Sequence, residues 1–231
     1  MKYIYIIYQI VVALPLLLIA TIVCALGTII AGRRWRNAEW VHRLQQGWAR
    51  LFCYLLFIPV EVSGLEHIRP GQSYVFVSNH QSFYDVFVIY GWLPVVFKWL
   101  MKQEVGRIPL VGQACQAAGH ICVDRLHPRA AQESLKRVEV ELQNGVSTVI
   151  FPEGTRTPDG EVKAFKRGAF QVALDLHLPV IPITMIGCYE VMNRHAWFVT
   201  RHPIKMVVGE EIQPEDLTIE LARERVVERM E

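Results

Sequence analysis

From Tyr3 to Ala31 the chain carries no charged residue, and Ile, Leu, Val and Ala dominate the stretch. Folded as a helix, such a run would reach about 43 Å, against a bilayer hydrocarbon core of about 30 Å. Its apolar surface must be covered by lipid or by protein, and this constrains everything that follows. The helix can span with tilt, or bend at Pro15 and stay within one leaflet. A cleaved signal peptide is the competing reading, but the run is too long and no clear small-x-small site stands between it and the next arginines. Arg33, Arg34 and Arg36 come immediately after, with only Lys2 ahead. The positive-inside rule therefore puts the rest of the chain on the cytoplasmic side.

A second stretch, Trp40 to Pro59, places Trp40, Leu44, Trp48, Leu51, Phe52 and Leu55 at helical spacing, punctuated by Arg43 and Arg50. It reads as an interfacial amphipathic helix with its tryptophans at headgroup depth, and a helix packed on the domain core is the alternative. Residues 1–59 thus form a pair of membrane-anchoring helices, and residues 60–231 form one α/β domain. The apolar fraction of 52% agrees with a membrane element.

The net charge of +2 conceals an asymmetry. From Glu210 onward there are eight acids and three bases, so the preceding part holds 21 bases and 14 acids. A basic body suits an anionic lipid surface or a phosphate- or CoA-bearing substrate, although ordinary solvated charge explains the balance equally well. Nothing in the pattern calls for a nucleic-acid partner. Cys24, Cys53, Cys115, Cys122 and Cys188 are scattered, without a C-x-x-C pair, so neither a disulfide framework nor a zinc site is expected. No local pattern singles out a catalytic cysteine.

Beyond Gly64, short apolar runs alternate with helical stretches. Strands are expected at Tyr74–Ser78, Val95–Leu100, His120–Val123, Ser147–Phe151, Val180–Ile186 and Ile204–Val208. Helices are expected at Phe83–Gly91, Pro128–Gln143, Arg167–Leu178 and Pro214–Met230. Pro182 puts its strand at an edge or at a bulge. This alternation predicts an α/β fold with a mixed, largely parallel sheet flanked by helices, following the N-terminal helical pair.

Two segments stand where strands end, the usual place for chemistry in such folds. In Asn79-His80-Gln81-Ser82-Phe83-Tyr84-Asp85, a loop that folds back lets Asp85 accept a hydrogen bond from one nitrogen of His80. The other nitrogen is left basic and aimed at substrate. No nucleophile is obvious nearby. The simplest use of the dyad is to take a proton from a substrate hydroxyl, with Ser82 the alternative nucleophile. The second segment, Phe151-Pro152-Glu153-Gly154-Thr155-Arg156, is a turn-rich loop whose glycine permits close approach and whose Thr155 and Arg156 suit a phosphate. An ordinary β–α loop explains its glycine and proline, but not a Glu-Gly-Thr-Arg cluster at a strand end. Between the two, Asp124 and Arg125 by default form a surface ion pair, and Lys102 is a further candidate cation.

Taken in order, Asn79-His80-x-Ser82-x-x-Asp85, Gly119 to Arg125, Phe151-Pro152-Glu153-Gly154-Thr155-Arg156 and Val180-Ile181-Pro182-Ile183 resemble the four sequence blocks of the glycerolipid acyltransferases. The likeness extends to the bacterial 1-acyl-sn-glycerol-3-phosphate acyltransferases and covers about residues 60–210. Lys102 to Gly112 is similar to the family's lysine-containing segment. Cys122 and His120 depart from the second block. The resemblance implies transfer of a fatty acyl group from acyl-CoA or acyl carrier protein to the sn-2 hydroxyl of lysophosphatidic acid at a bacterial inner membrane, the catalytic domain facing the cytoplasm. It implies His80 as base, Asp85 as its partner, and Arg125 and Arg156 on the acceptor's phosphate. Glu153 and Gly154 would shape the acceptor site, with Lys102 and Thr155 among the substrate-binding residues and Pro182 near the acyl region.

Backbone N–H groups after His80 are the expected oxyanion donors, and no metal or redox cofactor is called for. Another lysophospholipid or glycerol 3-phosphate as acceptor is a sibling reading. A membrane-associated thioester or phospholipid hydrolase is a different class, and a non-catalytic lipid-binding protein a third.

Overall fold

The computed structural model describes residues 2–123, 140, 142 and 145–230. The expected helix at Pro128–Gln143, together with Asp124 and Arg125, falls almost wholly outside the described residues. The apolar run forms helix α1 (Lys2–Tyr8), a π-helical turn at Gln9–Ala13, and helix α2 (Leu14–Trp35). Pro15 stands in the first turn of α2, so the helix does not break there. The register change forced by the missing proline N–H is taken up in the π turn just before it. The break comes at Gly32, whose φ of 54° no longer follows the helix. The span Lys2–Gly32 is long and apolar enough to cross a membrane. Its outer face exposes Ile4, Ile7, Leu18, Ile19, Val23 and Ile30.

Helix α3 (Glu39–Leu55) buries Val41, His42, Gln45, Ala49 and Cys53. This face packs on the domain core, as in the alternative reading, while Glu39, Trp40, Arg43, Gly47 and Tyr54 remain exposed. Amphipathic spacing cannot tell lipid from protein as the partner of an apolar face; here the partner is helix α4 (Tyr84–Trp92).

The strands are β1 (Val60–Ser63), β2 (Val75–Ser78), β3 (Phe97–Lys102), β4 (Ile121–Val123), β5 (Ser147–Ile150), β6 (Val180–Ile186) and β7 (Ile204–Val208). They form one seven-stranded sheet in the order β1-β7-β6-β2-β5-β3-β4. From β6 to β4 all neighbours run parallel, while β7 is antiparallel to β6 and β1 runs parallel to β7. The sheet is thus mixed and largely parallel, as expected. Helices α5 (Val111–Ala117), α6 (Arg167–Asp175), α7 (Cys188–Val191) and α8 (Ile219–Val227) complete the described elements.

Alternation along β2 divides the core. Tyr74 and Phe76 join the cluster that includes Ala49, Cys53, Val88 and Ile89 from α3 and α4, whereas Val75 and Val77 join Phe170, Ala173, Ala222 and Val226 on the opposite face.

Strand β6 lies inside the sheet rather than at an edge. Its proline is accommodated by a bulge: Val180 pairs with Ile212 but Ile183 with Val208, so three steps along β6 oppose four along its partner. The N–H that Pro182 lacks falls at this break, and its carbonyl still accepts Gly209 N–H at 2.8 Å. Past the end of β2, the Asn79 amide continues the pairing with β6, donating from Nδ2 to Met185 O at 2.9 Å and accepting Met185 N–H at 2.8 Å. Replacing Asn79 with Ala leaves those two buried backbone groups without partners. It should cost about 1–3 kcal/mol and lower the urea midpoint of the purified protein, which equilibrium unfolding followed by circular dichroism will measure.

Candidate active site

β2 and β5 are parallel neighbours with Val77 opposite Ile150, so the segments that follow them leave the sheet side by side. This places His80 against Phe151, the rings stacked with centroids 3.9 Å apart and planes at 10°. The next ring, Trp99 of β3, stacks on Phe151 at 5.5 Å. Sequence reasoning gave neither ring a role of its own: Phe151 entered only as the first residue of its loop, and an aromatic in a strand, as at Trp99, ordinarily belongs to the core.

The loop folds back and brings His80 and Asp85 together. His80 Nδ1 lies 2.9 Å from Asp85 Oδ2, and Asp85 is fully buried. The same oxygen accepts the backbone N–H of Gln81 at 2.6 Å and of Ser82 at 2.8 Å. An oxygen already accepting two amides acts as acceptor toward the imidazole too, so Nδ1 carries the proton and Nε2 has its lone pair free. Asp85 sits in the first turn of α4, where the helix dipole favours a negative charge. The amides expected to stabilise an oxyanion, those of Gln81 and Ser82, are thus already committed to Asp85. Ser82 is also committed: its hydroxyl donates to Met192 O at 2.7 Å and accepts Tyr84 N–H at 3.2 Å, and the residue is fully buried.

Glu153 is buried, with Oε1 accepting His80 N–H at 2.7 Å and Oε2 accepting Lys163 N–H at 2.9 Å. Burial pushes its carboxyl up, and the two amides hold it down only in part. Glu153 therefore shapes the site through the backbone of His80. The loop closes on the same residue, Thr157 N–H donating to His80 O at 2.9 Å. Gly154 takes a φ of 77°, the left-handed turn that a glycine supplies without strain. Arg156 lies over the Phe83 ring, with Cζ 3.8 Å from the centroid.

His80, Gly154, Thr155 and Arg156 share one cavity of about 560 Å³. Its far walls are largely apolar and come from α2 (Ala25), α3 (Trp48), α4 (Val86, Phe87), β3 (Trp99, Met101) and α5 (Val111, Ala114). Arg194, absent from the sequence reading, also lines it. A lone arginine in a loop carries no pattern that would have marked it. Lys102 closes β3, the residue after the cavity-lining Met101. Pro182 lies within the sheet against Gly209 and does not line the cavity. The cysteines near the site are poor nucleophiles. Burial, then the Asp85 carboxylate, raises the Cys188 thiol well above its ordinary value, and burial pushes Cys115 up to about 11.

A strand-end histidine bonded to a buried carboxylate, beside an arginine-bearing loop, thus opens on a largely apolar cavity. Residues 59–186 match the family model described as Acyltransferase, and the chain belongs to that family. The chloroplastic 1-acyl-sn-glycerol-3-phosphate acyltransferase BAT2 of Brassica napus is 32% identical over 193 residues, covering 82% of this chain and 56% of that protein. The alpha form of 1-acyl-sn-glycerol-3-phosphate acyltransferase from Homo sapiens is 40% identical over 133 residues, 57% of this chain and 47% of that one. The chain spans about half the length of the curated relatives it matches. The crystal structure of the 1-acyl-sn-glycerophosphate acyltransferase PlsC from Thermotoga maritima has the same fold, with a TM-score of 0.82 at 23% identity over 99% of this chain and 94% of that one.

Asp85→Asn keeps the side chain's size but turns one end of it into a donor, so the imidazole loses its fixed tautomer. Acyl-transfer turnover should fall about 10²–10⁴-fold with the circular dichroism spectrum unchanged. A variant retaining more than half the wild-type rate would contradict the assigned pairing.

Proposed function

We propose that the protein is a membrane-bound acyltransferase that moves a fatty acyl group from acyl-CoA or acyl carrier protein to the sn-2 hydroxyl of 1-acyl-sn-glycerol 3-phosphate, giving phosphatidic acid. The observation that carries this reading is the shared cavity: His80, the Arg156 loop and a long apolar wall line one space. A fatty acyl chain fits the apolar wall, and a glycerol phosphate fits the polar mouth. Arg156 holds the acceptor's phosphate, joined by Lys102 and Arg125, while Glu153, Gly154 and Thr155 shape the pocket around it.

In the reaction, His80 Nε2 takes the proton of the acceptor hydroxyl as its oxygen attacks the thioester carbonyl carbon. The tetrahedral intermediate's oxyanion needs donors, and the Thr155 and Arg156 amides, on two cavity-lining residues, are candidates for which no acceptor among the described residues is present. Collapse breaks the carbon–sulfur bond, and the imidazolium returns its proton to the departing thiolate. The proton balance closes on His80 alone. Asp85 keeps Nδ1–H oriented and stabilises the imidazolium as it forms.

The exposed apolar face of α1 and α2 supports a membrane seat, with the basic residues Arg34 and Arg36 just beyond it on the cytoplasmic side. Trp197, 90% exposed, and Phe198 project from a segment that Gln9 ties to the apolar helix through Val199 N–H and C=O, each at 2.9 Å. Such aromatics suit headgroup depth.

Purified protein offered lysophosphatidic acid with acyl-CoA or acylated carrier protein should form phosphatidic acid. Release of free fatty acid alone would establish a hydrolase instead. His80→Ala should abolish transfer while the protein still sediments with vesicles. Arg156→Ala should raise the KM for the acceptor about tenfold or more, since it removes a charge-assisted contact; a change confined to the acyl-donor KM would overturn the phosphate assignment.

A further inference from the structure

We propose that Arg194 is a second arginine for the acceptor's head group, and that the Arg156–Arg194 pair makes the site select a phosphomonoester over a phosphodiester. The proposal rests on the reading of the cavity given above and adds to it the head-group class and the residue that discriminates it.

Arg194 lies three residues beyond helix α7, on an exposed segment, and lines the cavity together with His80, Thr155 and Arg156. Its position is secured from both sides. The Ser82 hydroxyl, within the catalytic loop, holds Met192 O at 2.7 Å, and Thr200 N–H donates to Val191 O at 2.8 Å. Between these ties, His195 N–H closes a turn on Asn193 Oδ1 at 3.0 Å. The loop that carries the base therefore also anchors the segment that carries Arg194, and this gives the buried Ser82 a purpose.

Neither arginine is in an ion pair with a carboxylate among the described residues. Burial, and after it the charge of Arg194, hold the Arg156 guanidinium below its ordinary value, with the Asp85 carboxylate opposing them. Two guanidiniums on one wall, with no carboxylate paired to either, repel each other until an anion lies between them. A phosphomonoester brings about −1.5 to −2 charge at pH 7 and three terminal oxygens, enough to serve both forks bidentately. A phosphodiester has one charge and two such oxygens, so it satisfies one fork and leaves the other facing its ester substituent.

The test uses the full chain in lipid vesicles, with 1-acyl-sn-glycerol 3-phosphate and its phosphate methyl ester as competing acceptors. Wild type should favour the monoester. Arg194→Gln should raise the monoester KM about tenfold or more, with a smaller effect on kcat, and should move the methyl ester's KM much less, so the preference collapses. Arg194→Lys should recover part of it, because the charge returns without the fork. An unchanged monoester KM in Arg194→Gln, or equal losses on both acceptors, would overturn the proposal. Absence of transfer by wild type to either acceptor would defeat the acyltransferase reading itself, and this proposal with it.

Discussion

One buried oxygen organises this site. Asp85 Oδ2 accepts from the His80 ring, from Gln81 N–H and from Ser82 N–H at once. A carboxylate taken out of water is costly unless donors replace its hydration, and three donors with the N-terminus of α4 supply that replacement at Oδ2. Its Oδ1 is buried without a hydrogen-bond partner among the described residues. The geometry that solvates the carboxylate also folds the loop back on itself and sets the imidazole tautomer. Local folding and the orientation of the imidazole are here the same set of hydrogen bonds. Removing the acid would disturb both, whereas changing its charge at constant shape separates them.

The sheet brings the second half of the site to the first. Because β2 and β5 are adjacent and parallel, two segments about seventy positions apart in sequence emerge at one edge without any long excursion. Glu153 and Thr157 then lock them together through the backbone of His80, one taking its N–H and the other giving to its carbonyl. The ring is fixed independently by stacking on Phe151. His80 is thus held at backbone, ring face and ring nitrogen, and among the described residues its Nε2 has no hydrogen-bond partner. Preorganisation of this kind lets a base act without rearrangement at the moment of proton transfer.

Much of the architecture was legible in sequence, because short apolar runs bounded by turn residues mark strands well. β6 and β7 appear as expected, and β2 and β5 lie within a residue of their expected ends. The contact between His80 and Asp85 was suggested by their spacing, since an acid five residues beyond a strand-end histidine can fold back on it, and the two do meet. Pairing order was not legible: nothing local says that β7 reverses or that β6 is interior, and the bulge that admits Pro182 depends on a strand far along the chain. The packing of α3 on α4 was open for a related reason, as an apolar stripe does not identify what covers it. Glu153 looked like a ligand contact because its two amide partners lie at other points of the chain. Arg194 gave no signal, being an exposed arginine whose meaning comes only from sharing a wall with Arg156.

The central claim is that Asp85 holds His80 with its proton on Nδ1 and leaves Nε2 free to receive one. ¹⁵N NMR of protein labelled at histidine, taken as the difference between wild type and His80→Gln, reads this directly. The account predicts a neutral His80 signal with Nδ1 protonated and Nε2 unprotonated, and loss of that tautomer preference in Asp85→Asn. A His80 that carries its proton on Nε2, or whose tautomer is indifferent to Asp85, would contradict it.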